Sequence, residues 1–91
     1  MKNKIYPWSD PKIEKADVIA LQQVANGTGN PMHQKRVIEW IVNYAADTYG
    51  LSFRPEDMGG ERATAFAEGK RFVGLQIVKL LKVDPNTYTK E

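Results

Sequence analysis

Residues 61–81 read ERATAFAEGKRFVGLQIVKLL. Phe66, Val73, Ile77 and Leu80 recur in this stretch at spacings of seven, four and three. At 100° per residue they fall within about 60° of one another on a helical wheel. That pattern predicts a long amphipathic helix, stopped by Asp84-Pro85 because the residue before a proline is held out of the helical region. The same helix carries Gly69 and Gly74. Each costs roughly 1 kcal/mol relative to alanine in a helix interior. With Phe66 at zero, Gly69 falls at about 300° and Gly74 at about 80°, the two margins of the apolar stripe. The placement predicts close packing of a neighbouring backbone or ring at both, with Trp40 and Tyr44 as the candidate rings. Direct contact of this segment with a ligand or partner is the rival reading. A phosphate loop is not: that motif needs a glycine five residues before the glycine-lysine pair and a hydroxyl residue after it. Thr64 and Arg71 stand there instead.

Two further helices are read upstream. Ser9 or Asp10 is placed to cap the first, with Pro11 at its first position. Its apolar stripe is Ile13, Ala16, Ala20, Leu21 and Val24, and Gly27-Thr28-Gly29 stops it near Asn26. Asn30-Pro31 opens the second in the same way. Val37, Ile38, Trp40, Ile41, Tyr44, Ala45 and Tyr49 give it a face wide enough for two neighbours, so it is expected at the centre, ending at Gly50 as a left-handed cap. Residues 51–60, LSFRPEDMGG, form a connection in which Leu51, Phe53 and Met58 are expected to plug the end of the core. Residues 1–9 read as an arm whose Trp8 packs on the body or on a partner. Residues 84–91 read as a polar tail. The expected architecture is all-α: a small three-helix bundle over residues 10–83.

The composition narrows the chemistry. The chain has 91 residues, enough for one domain, and is 42% hydrophobic and 26% charged. It has no cysteine and one histidine, His33. Thiolate chemistry, disulfides and a multi-histidine metal site within one chain are thereby excluded. No apolar run approaches the ~18–20 residues of a membrane span, and the opening MKNKIYPWSD has no apolar stretch behind its lysines, so it does not read as a secretory signal. Glu56, Asp57 and Glu61 read as solvated or capping groups. Ser9 and Ser52 lack a nucleophile context. No enzyme, cofactor, metal or small-molecule substrate is expected.

Binding surfaces are the remaining candidates. His33-Gln34-Lys35-Arg36 opens the second helix in what could be a helix-turn-helix, with Lys35 and Arg36 reaching nucleic acid. The plainer reading is an antiparallel helical hairpin. On the third helix, Arg71, Lys79 and Lys82 lie opposite Phe66, at about 140°, 220° and 160°, with Leu75 among them at about 180°, Val78 at about 120° and Glu68 at about 200°. Such a face suits a phosphate backbone or an acidic protein surface. Trp8, Lys70 and Arg71 complete the set of candidate contacts, and an exposed Leu75/Val78 strip is a candidate seam for self-association.

The segments AFAEGKRFVGLQIVKLLKVDP and HQKRVIEWIVNYAADTYGL resemble a family of small tailed-phage proteins named after an open reading frame of a Bordetella podovirus. The matching positions are Val37-Ile38, Trp40-Ile41, Phe66, Glu68-Gly69, Lys70-Arg71, Val73-Gly74, Ile77 and Leu80-Leu81, within residues 16–81. Family members often carry a Pro-Glu-Gly-Arg-Arg-like element before the second helix, where this chain has NPMHQKR. The resemblance implies a virion or morphogenesis role, in the particle or the host cytoplasm, with no catalytic residue or cofactor to carry over. The expected function is contact with other phage structural proteins, as a minor virion, head, portal or ejection component. A DNA-binding accessory and an inhibitor of a host defence or enzyme are the alternatives.

Overall fold

Capping boxes set the starts of the first two helices, and in the computed structural model, which describes residues 5–88, all regular structure is helical. The first four residues of the expected arm and the last three of the expected tail lie outside the described residues. The three helices are α1 (Lys15–Ala25), α2 (Pro31–Trp40) and α3 (Gly60–Lys82).

Helix α1 begins later than Ser9, Asp10 and Pro11 predict. Ser9 is occupied elsewhere: its hydroxyl accepts the Tyr6 N–H at 3.0 Å, and its own N–H donates to the Tyr6 carbonyl at 2.8 Å. This closes a turn in the arm. The cap is Glu14, whose N–H donates to the Asp17 carboxylate at 2.9 Å, the reciprocal half of a capping box. The end is as expected, at Asn26 with Gly27 at φ +77°. Helix α2 opens at Asn30, whose Oδ1 accepts the His33 N–H at 2.8 Å. The Asn30 N–H donates in return to His33 Nδ1 at 3.2 Å.

Past Trp40 the helix widens into one π turn, Ile41–Ala45, with the Ala46 N–H donating to the Ile41 carbonyl at 2.8 Å. The left-handed residue that follows is Asp47, at φ +48°, and not Gly50. Aspartate tolerates this region better than most residues. Thr48 then folds back: its N–H and hydroxyl both donate to the Val42 carbonyl, at 3.1 and 2.7 Å. The expected helical end is thus overtaken by a side-chain cap that closes the helix earlier.

α1 packs along α2, and α3 packs on the π turn and on a 3-10 turn, Glu56–Met58. α1 and α3 do not meet. The second helix with its π turn is therefore the central element, as its broad apolar face predicts. The core is built of small residues: Ala20, Val37, Val42, Ala46, Ala63 and Ala67, with Thr48 fully buried among them.

The buried line of α3 differs from the predicted stripe. It is Gly60, Ala63, Ala67 and Gly74, centred near 90° on the wheel. Phe66, Val73 and Leu80 stay 45, 54 and 52% exposed. The reason is the closeness of the π turn. A Cβ built on Gly74 would stand 1.8 Å from Thr48 Oγ1 and 3.0 Å from Ala46 Cβ. Gly74 therefore does serve close packing, against Thr48 and Ala46 and not against Trp40 or Tyr44. Gly69 does not: a Cβ there meets nothing within 4 Å, and the residue is exposed. Trp40 instead donates its indole N–H to the Lys12 carbonyl at 2.8 Å, while Tyr44 is exposed.

Leu51 and Phe53 are exposed and do not plug the core; Met58 is half-buried. The connection is held by its backbone. The Arg54 N–H donates to Thr64 Oγ1 at 2.8 Å, and the Arg54 guanidinium donates to the carbonyls of Leu51, Ser52 and Phe53.

Gly74→Ala is expected to lower unfolding free energy by about 1–3 kcal/mol, the usual cost of overpacking. Gly69→Ala, with open space around it, is expected to leave it unchanged or raise it by about 0.5–1 kcal/mol. Urea titrations of the two variants check the contrast, which vanishes if both helix margins are equally packed.

Candidate interaction surface

The hairpin of α1 and α2 is pinned by charge. Arg36 Nε lies 2.7 Å from Asp17 Oδ1, and Arg36 Nη2 lies 3.3 Å from Glu14 Oε1. Among the described residues Asp17 is the one buried carboxylate. The Glu14 N–H donated to it holds its pKa below the ordinary 3.8; the Arg36 guanidinium adds to this, and desolvation opposes it. A concavity lined by Lys12, Glu14, Asp17, Arg36, Trp40 and Tyr44 surrounds the pair. Of the tetrad expected to approach nucleic acid, His33 serves the cap, Gln34 donates to the Gly29 carbonyl at 3.1 Å, and Arg36 ties the hairpin together. Lys35 is the exposed member.

Two basic candidates on α3 are also engaged inside the fold. Lys70 Nζ donates to the Pro7 carbonyl at 2.6 Å and holds the arm on α3. Arg71 Nε donates to the Thr48 carbonyl at 3.0 Å, and its Nη1 lies 3.0 Å from Glu68 Oε2. Glu68 also accepts the Ser52 hydroxyl. That bond first, and Arg71 second, hold its pKa below the ordinary range, against desolvation. Trp8 packs on its own domain. It stacks on Tyr6, with ring centroids 5.1 Å apart and planes at 4°, and meets Phe66 edge-on at 5.6 Å and 78°.

The remaining candidates, Leu75, Lys79 and Lys82, are exposed on α3. Lys35 and Arg36 are not brought to them, because α2 makes no contact with α3 before its π turn. Sequence reasoning missed the exposed rings and aliphatics of α3: Phe66, Phe72, Val73, Leu80 and Leu81. The stripe of Phe66, Val73 and Leu80 was legible as apolar. That it faces outward depends on which side of α3 the π turn occupies, and no local signal carries this.

Among the described residues, no group of three His, Asp or Glu side chains is placed to hold a metal ion. No helix among them is long and apolar enough to cross a membrane. No family model, curated protein or solved structure matches the chain.

Because the folded-state pKa of Asp17 lies below its unfolded value, its contribution to stability is complete above about pH 4 and is lost as pH falls through the lower folded value. Asp17→Asn is therefore expected to be less stable than wild type at pH 7. The gap should narrow as pH falls below about 4 and level off only below the lowered folded pKa, where both chains carry a neutral group. Urea midpoints of the two proteins across this range check it; a gap that persists unchanged into acid would show that the carboxylate charge is not what binds Arg36.

Proposed function

We propose that the protein acts by protein–protein contact and not by catalysis, as a minor component or accessory of a tailed-phage particle. The observation that carries the contact reading is the circumference of α3. Only a narrow line of small residues, Gly60, Ala63, Ala67 and Gly74, is buried. Phe72 and Leu75 are left exposed beside Lys79 and Lys82. A large ring and an aliphatic set among lysines match an acidic protein surface with an apolar centre, the usual composition of a contact patch with a charged rim. The phage setting is drawn from the likeness of residues 16–81 to the podovirus family.

The nucleic-acid reading draws less support. Phosphate binding relies on several unpaired cations along one track. Arg36 and Arg71 are tied to carboxylates and a backbone carbonyl within the fold, and Lys35 lies on a different helix from Lys79 and Lys82.

A photo-crosslinking residue at Leu75, with Gln22 on α1 as the control position, tests this in phage-producing cells. The expected result is adducts from Leu75, and not from Gln22, to capsid, portal or ejection proteins. Adducts confined to a host enzyme would overturn the particle role. Absence of adducts, or equal capture from both positions, would overturn contact through this face.

A further inference from the structure

A second face of α3 is open. Phe66, Val73 and Leu80 are exposed at seven-residue intervals, at about 0°, 340° and 320° on the wheel, with Gly69 at about 300° and Ile77 at about 20°. Between Phe66 and Leu80 this strip carries no charged residue; its edges are Gln76, at about 280°, and Lys70, at about 40°, whose Nζ is tied to the Pro7 carbonyl. The arm borders it at one end, where Trp8 meets Phe66. Leu75, Lys79 and Lys82 lie on the far side of the helix.

The dimensions of the chain show how much cover is missing. A compact chain of 10.3 kDa exposes about 5,400 Å². This one exposes 7253 Å², an excess of about 1,900 Å² over that expectation. Its radius of gyration is 16.0 Å, where a compact chain of this length has about 12 Å. The described fold accounts for part of the excess: α1 and α3 do not meet, and among the described residues no fully apolar side chain larger than valine is buried. A specific dimer buries about 800 Å² per partner, which lies within this excess.

We propose that the uncharged strip of α3 is a homodimer seam, in which α3 of a second copy packs antiparallel across Val73. A second copy fits better than a charged partner, because an uncharged strip meets itself about a twofold axis without like-charge repulsion. Val73 lies midway between Phe66 and Leu80. An antiparallel crossing there sets Phe66 of one chain beside Leu80 of the other. Gly69 then acquires a reason. It fills no contact within its own chain, and lacking a side chain it allows the partner helix to approach closely. The seam is separate from the Leu75 face proposed above for other proteins, so either proposal survives the failure of the other.

The absence of cysteine in the wild-type chain gives a direct test. A Val73→Cys variant is expected to form a disulfide-linked dimer in an oxidising buffer, because the two copies of the residue nearest the twofold axis face each other. A Leu75→Cys variant, on the far side, is expected to stay unlinked. Sedimentation equilibrium of the wild-type chain is expected to give about twice the 10.3 kDa chain mass. Val73→Glu and Gly69→Leu are each expected to weaken association by at least about tenfold, which is about 1.4 kcal/mol. Gly69→Leu is the variant that keeps the monomer fold, since its side chain enters open space, and helical circular dichroism checks this. A monomeric wild type at micromolar concentrations would overturn the proposal. So would a dimer indifferent to both substitutions, or equal cross-linking from positions 73 and 75.

Discussion

The approach of Gly74 to Thr48 organises the rest of the molecule. Thr48 is fully buried, and its hydroxyl and N–H both close on the Val42 carbonyl. Its own carbonyl accepts Arg71, three residues before Gly74 on α3. One threonine therefore ends the second helix, satisfies its buried polar groups and provides the surface on which α3 rests. A buried hydroxyl without these bonds would be costly. A side chain at position 74 would separate the two elements.

Close approach has consequences for the remainder of α3. A helix that meets its neighbour through alanine and glycine buries little side-chain area, because the backbones touch before large residues can interdigitate. The large residues are then displaced to the flanks. Phe66, Val73 and Leu80 lie on one side, and Phe72 and Leu75 on the other. The same geometry that makes the contact tight leaves the helix apolar on its open faces. Exposed apolar surface of this extent is unusual in a chain that acts alone, and the proposed contact function rests on it.

Polar bonds supply much of what the small core does not. Arg36 joins the two ends of the α1–α2 hairpin through Asp17 and Glu14. Lys70 holds the arm through the Pro7 carbonyl, and Arg71 joins the loop after the π turn to Glu68. Each of these basic residues reads in the sequence as a free cation available to a ligand. Their partners across the fold are 19, 63 and 23 residues away, so, apart from the i,i+3 pairing of Arg71 with Glu68, nothing local distinguishes them from solvated charges such as Lys79.

The sequence by itself determined the all-α class, the three helices and their order, the stop at Asn26 and Gly27, the Asn30 cap, and the end of α3 before Asp84. These are local matters of proline and glycine geometry, hydrogen-bonding side chains and apolar period. The tertiary structure decided which face of α3 is buried, that Gly74 packs while Gly69 stands open, that the second helix closes at Thr48, and that Leu51 and Phe53 remain outside. Apolar period specifies that a helix has a face; it does not specify what size of residue the neighbour admits. That was set by a π turn and a buried threonine, whose contact with α3 spans 26 residues of chain, and it inverted the expected roles of the small and large residues.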